Sequence, residues 1–103
     1  MKCHAWGGHV YSPASQSDLK SVSDRMRMQD FWIGLKRSPD GGNEWYNVDK
    51  SNIMFLISQW GAGYPKSDGG ENCVQVFGVG ALRGKIGDAD CSQPKPYYCA
   101  KDV

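Results

Sequence analysis

Phe31-Trp32-Ile33-Gly34-Leu35 is the densest apolar run in the chain, and how it is read decides the fold. It has the length of a strand and the aromatic and β-branched side chains that strands favour. Pro39-Asp40-Gly41-Gly42 follows as a strong turn signal, and Glu44-Trp45-Tyr46 resumes as a second short strand. Trp32, Ile33 and Leu35 are expected to carry the core, each buried large side chain contributing roughly 1.5–3 kcal/mol. Gly34 is expected where a Cβ would crowd a neighbouring strand.

Upstream of this run, residues 15 to 28 predict the one clear helix. Ser15 with Asp18 three residues later makes a capping-box-like start, and Pro13 suits the turn that enters it. Leu19, Val22 and Met26 then form one apolar stripe, with Met26 and Met28 expected to fill core. Downstream, residues 61 to 72 read as a long loop rich in Gly, Ser and Asp, containing Tyr64-Pro65. Cys73 to Phe77 alternates as a strand, Gly78 to Gly87 turns back towards Asp88 and Cys91, and Tyr97 to Lys101 is a closing strand. There is no repeat or linker, so residues 1–103 form a single α+β domain.

Composition excludes several classes of function. The chain has 103 residues, 40% hydrophobic and 22% charged, which is ordinary for a globular domain. Twelve basic against 11 acidic residues give a net charge of +1, which removes the electrostatic argument for nucleic acid or an anionic membrane. No apolar run approaches the ~20 residues of a membrane span. Met1-Lys2-Cys3-His4 lacks the apolar stretch of a signal peptide, so a secreted protein is expected to have lost its leader. There is no nucleophile elbow and no P-loop, and Gly78-Val79-Gly80 meets Arg83 where a dinucleotide fingerprint needs glycine. Asp88 and Asp90 are better read as loop solvation than as an acid/base pair, and no enzyme activity is expected.

Cys3, Cys73, Cys91 and Cys99 include no CxxC pair, so zinc-ribbon and thioredoxin-like readings lack their signature. An even count in so short a chain fits two disulfides and an oxidising compartment. Three connectivities satisfy that count. A Cys3–Cys99 bridge would tie the ends together and contribute roughly 4–5 kcal/mol in the chain-entropy account.

Taken together, these segments resemble the C-type lectin-like domain. Cys3 followed by Gly7-Gly8-His9-Val10, then Trp32-Ile33-Gly34-Leu35, Glu44-Trp45, Trp60 with Gly63 and Pro65, Glu71-Asn72-Cys73-Val74, Asp88-Ala89-Asp90-Cys91 and Tyr97-Tyr98-Cys99 fall in the family's order. The resemblance covers nearly the whole chain. It implies disulfides Cys3–Cys99 and Cys73–Cys91, an extracellular location and a binding function. The family also has a first strand and most of a first helix ahead of Cys3. Without them the closing strand exposes an aromatic edge, and a homodimer or other self-association covering it is expected.

The family's calcium-dependent sugar binding needs several oxygen ligands around one cation. The resemblance places them in a Glu-Pro-Asn or Gln-Pro-Asp triplet, a nearby Glu and a Trp-Asn-Asp triplet. Here those positions read Tyr64-Pro65-Lys66, Glu71 and Ile86-Gly87-Asp88. Only Glu71 and Asp88 survive as carboxylates, so calcium is not expected. Lys66 is expected to occupy the vacated site with its ammonium near Glu71. A remodelled acidic site, with Asp68 and Asp90 close by in sequence, is the alternative, as is zinc held through His4 and His9.

The expected function is therefore extracellular recognition of a protein or a microbial-surface glycan, of the kind seen in innate-immune receptors. Tyr64, Lys66, Asp68, Glu71, Arg83, Lys85 and Asp88 are the candidate contacts, since aromatic and long basic side chains suit such interfaces. Ice binding, found on the same scaffold, is disfavoured because the chain has no threonine.

Overall fold

The computed structural model describes residues 8–27, 29–37, 45–47, 53–66 and 72–100. The order is β1 (His9–Val10), α1 (Gln16–Arg25), β2 (Phe31–Arg37), β3 (Trp45–Asn47), α2 (Ile53–Ile57), β4 (Cys73–Val76), β5 (Ile86–Ala89) and β6 (Cys99–Ala100). The α+β class read from the sequence is the one observed.

Helix α1 starts where its cap predicts. Ser15 is extended (φ −153°, ψ 168°), and its hydroxyl accepts the Asp18 N–H at 3.2 Å. The Asp18 carboxylate reaches back one residue further than a capping box would, accepting from the Ala14 N–H at 3.3 Å. Leu19, Val22 and Met26 are all buried, as their spacing requires. The helix ends earlier than residue 28, because Arg27 turns into the left-handed region at φ 54°. Met28 lies outside the described residues. Helix α2 adds a second, five-residue helix that the strand-like Ile-Met-Phe-Leu-Ile composition conceals.

Four antiparallel strands form the main sheet in the order β3-β2-β4-β5. Pairing of β2 with β4 slips between Ile33 and Lys36, a bulge that frees the Gly34 N–H to donate to the buried Ser12 hydroxyl at 2.9 Å. On one face Phe31, Ile33, Leu35, Val74, Val76 and Ile86 meet the apolar stripe of α1 and Leu56 of α2. Trp32 is buried too, but on the opposite face, with Cys73, Ala89 and Tyr97. Trp32, Ile33 and Leu35 are thus all buried as expected, with strand alternation placing Trp32 on the other face of the sheet.

The Cys73–Cys91 disulfide joins the start of β4 to the turn after β5, with Cα atoms 5.1 Å apart. No described cysteine is free. Cys3, and with it the Cys3–Cys99 pairing, lies outside the described residues. The closing segment is held through two of its carbonyls: Pro96 O accepts from Trp32 N–H at 3.0 Å and Tyr98 O from Tyr11 N–H at 2.8 Å. Beyond them β6 pairs with β1, His9 opposite Ala100 and Val10 opposite Cys99.

Candidate functional site

The site grows out of the inward alternation of β2. After Phe31, Ile33 and Leu35 the next inward residue is Arg37, and its side chain is only 6% exposed. A guanidinium cannot shed its protons, so a buried one needs an anion. Asp88 on β5 supplies it, with a side chain that is 0% exposed; Arg37 Nη2 donates to Asp88 Oδ2 at 3.3 Å. Trp45, opposite Arg37 on β3, lies under the guanidinium at 4.5 Å and tilts against Trp60 at 5.2 Å. Removing one member of such a pair costs roughly 3–5 kcal/mol, since the other is left buried and uncompensated.

The long loop is fastened to this pair through backbone rather than side chain. Lys66 N–H donates to Asp88 Oδ1 at 2.8 Å, and Lys66 O accepts from Arg37 Nη2 at 3.2 Å. Its ammonium turns outward and lies over the Tyr64 ring, 5.2 Å from the centroid. The Tyr64–Pro65 peptide is cis. Tyr64 in turn tilts against Phe77 at 5.3 Å. Both rings rest on Gly87, where a Cβ would come within 2.7 Å of two Phe77 carbons and 3.0 Å of Tyr64.

Among the described residues these contacts decide the fit to a calcium ion, and the described residues do not fit it. Of the candidate ligands, Gly87 offers no side chain and its space is filled by two aromatic rings. The Asp88 carboxylate is engaged by a guanidinium and an amide, so a divalent ion bonded to it would sit against a fixed positive charge. The cation at Asp88 is Arg37; the expected approach of the Lys66 ammonium to Glu71 falls outside the described residues. Arg37 reaches Asp88 because it starts from the sheet interior, whereas Lys66 starts from the loop surface. Glu71 and Asp68 lie outside the described residues, as does His4. His9 is part of β1, and no group of three or more His, Cys, Asp or Glu side chains suited to a metal occurs among the described residues.

The remaining candidates scatter. Arg83 Nη2 lies 3.9 Å from the Asp24 carboxylate of α1. Lys85 is exposed, with its Cβ close beside Gly61. Asp90 does not act with Asp88: it is exposed, and the Ser92 backbone N–H at 2.9 Å, with the Ser92 hydroxyl, holds its carboxyl below the usual carboxylate range. A cavity of about 430 Å³ between α1 and the closing segment is lined by Tyr11, Asp18, Ser21, Arg25 and Tyr98, none of them a predicted contact. Arg37 and Phe77 were not among the predicted site residues. The alternation that carries Ile33 and Leu35 inward extends to Arg37 and was the available signal.

A mixed sheet and helix core, a long loop clamped beside β5 and an inner disulfide define a C-type lectin-like domain. The chain belongs to the Lectin C-type domain family, which it matches over residues 1–101. It is 32% identical over 75 residues to C-type isolectin Sp-CL4 of Scorpaena plumieri, covering 72% of this chain. It spans only 47% of that curated relative's length. Among solved structures it is similar to a calcium-independent type II antifreeze protein (TM-score 0.81, 22% identity, 97% of this chain and 72% of that one). It is also similar to the cow CD23 carbohydrate-recognition domain, solved with a GlcNAc2Man3 oligosaccharide (TM-score 0.70, 30% identity, 86% of this chain and 64% of that one). Domains of this family are generally binding modules rather than enzymes, and those with a disulfide are typically extracellular or secreted.

Proposed function

We propose that this domain is an extracellular recognition module that binds a protein or microbial-surface glycan without calcium. Its ligand surface is the lysine and aromatic group of Lys66, Tyr64 and Phe77, with Lys85 nearby, and its role is of the innate-immune, cell-surface kind. The observation that carries this reading is the commitment of Asp88 to Arg37 and to the Lys66 amide, which occupies the carboxylate a metal would need. What stays outward is an ammonium above an aromatic ring, a pairing suited to anionic or hydroxyl-rich ligands. A protein of the same fold that is described as calcium-independent is in keeping with this.

The test is binding to a glycan array and to intact microbial cells, in calcium and in EDTA. Binding is expected to persist in the chelator and to fall about tenfold in Lys66→Ala, which removes the ammonium but keeps both backbone bonds. Loss of all binding in EDTA would overturn the reading in favour of a metal-dependent lectin.

Self-association belongs to the same proposal, on the strength of Tyr98, a large aromatic side chain of the closing segment that is 40% exposed. Sedimentation equilibrium is expected to give a mass rising with concentration towards a dimer. A monomer mass at every concentration would remove this part.

A further inference from the structure

We infer that Arg37 and Asp88 act as a permanent clamp on the ligand surface, positioning Lys66 and Tyr64 without touching ligand themselves. The inference rests on the reading of that surface as the binding site, and adds how its shape is set.

Three observations carry it. First, the pair holds both backbone polar groups of one loop residue: the carboxylate takes the Lys66 N–H and the guanidinium gives to the Lys66 carbonyl. A segment gripped on both sides cannot rotate about either neighbouring peptide plane without losing a charge-assisted bond. Secondly, each member of the pair is itself anchored on the sheet. Asp88 lies opposite Val74 in the β4–β5 ladder, and the Cys73–Cys91 bridge closes that ladder's end. The Arg37 backbone N–H donates to Asn72 O at 3.0 Å while Trp45 covers its guanidinium. Thirdly, the clamp ends where the exposed surface begins: Lys66 covers Tyr64, Tyr64 leans on Phe77, and Gly87 leaves room for both rings. The chain's own guanidinium thus orders the loop in a place where a bound cation would have to be acquired from solution.

Amide hydrogen exchange on the ligand-free protein tests this, with Arg37→Gln, Asp88→Asn and the double variant compared to the native chain. Exchange at the Lys66 amide is expected to accelerate at least about tenfold in each single variant; the Val76 amide, deep in the ladder, follows the global loss of stability and recovers in the double variant, where the Lys66 amide stays fast. The double variant is expected to be no faster than the worse single one, because the two groups work as one unit. An unchanged Lys66 amide in the folded single variants, or effects that simply add, would overturn the clamp. Should the variants not fold, the native protein still decides: Lys66 protection and melting temperature are expected to be the same in excess calcium and in EDTA. A saturable rise with calcium would show that a metal, not Arg37, orders the loop. None of these readouts involves ligand, so failure of the clamp is separable from a Lys66→Ala variant that binds normally.

Discussion

Gly78→Ala is expected to lower stability by about 4 kcal/mol. An alanine Cβ at this position would collide with the carbonyl carbon and the carbonyl oxygen of Gln29, and lie 2.7 Å from its nitrogen. These are backbone atoms at the entry to β2, so relief requires the chain itself to move rather than a side chain to swing. Overpacking of this kind costs roughly 1–3 kcal/mol. The movement also strains the Gly78 N–H bond to the Asp30 carboxylate at 2.8 Å, a charge-assisted contact of roughly 1.5–3 kcal/mol. Space, not conformational freedom, is what the glycine provides, unlike Gly80 and Gly84 in the same turn, whose φ values are +83° and +82°. Calorimetry should show a fall in melting temperature of roughly 15–30 °C for a domain of this size. A fall of only a few degrees would mean that the approach to Gln29 is not the constraint.

Leu35→Ala is the second large loss. Leu35 is 0% exposed, in the main cluster between α1 and the sheet, and the expected cost is roughly 3–4 kcal/mol for the lost transfer energy and the cavity left behind. Its position gives the loss a second effect. Leu35 lies in the bulge of β2, two residues before Arg37, so a slackened strand also loosens the guanidinium that holds Lys66. Urea titration is expected to move the midpoint strongly with little change in slope. Met54→Ala is the control: that side chain is 71% exposed on α2, and its removal is expected to stay within about 0.5 kcal/mol. Equal losses at the two positions would contradict the assignment of the core.

The fold was largely legible because its signals are local. Ser15 announces the start of α1, the run from Phe31 announces β2, and the order of glycines, tryptophans and cysteines announces the family. Where the sequence says less, the deciding feature is one that residue type does not display. The end of α1 depends on a backbone turn at Arg27 that residue type does not reveal. The run Ile53 to Ile57 has strand-forming composition, yet α2 forms there with Leu56 turned into the main cluster. Trp32 belongs to a different face from its neighbours Ile33 and Leu35, which alternation foretells but a list of apolar residues does not.

The site was legible only by elimination. Tyr64, Lys66 and Gly87 stand where ligand-bearing residues would be needed, and that much can be read directly. Which cation meets Asp88 could not be read in the same way, because Arg37 is 51 residues away from it in sequence and looks from its neighbours like the solvated end of a strand. Periodicity was the usable clue. A strand whose odd residues Phe31, Ile33 and Leu35 are all inward places residue 37 inward as well, and an inward arginine demands an acid.

The depth of the Arg37–Asp88 pair has a consequence for how the domain meets its surroundings. Mobile ions weaken attractions that they can surround, and this pair is shut away from them at 6% and 0% exposure. Lys66, by contrast, carries its ammonium on the outside. Brackish, plasma-like or dilute media should therefore leave the shape of the loop alone and tune only the charge it presents. Affinity followed across ionic strength then reports on the charges of whatever is bound, with the loop's geometry acting as a constant.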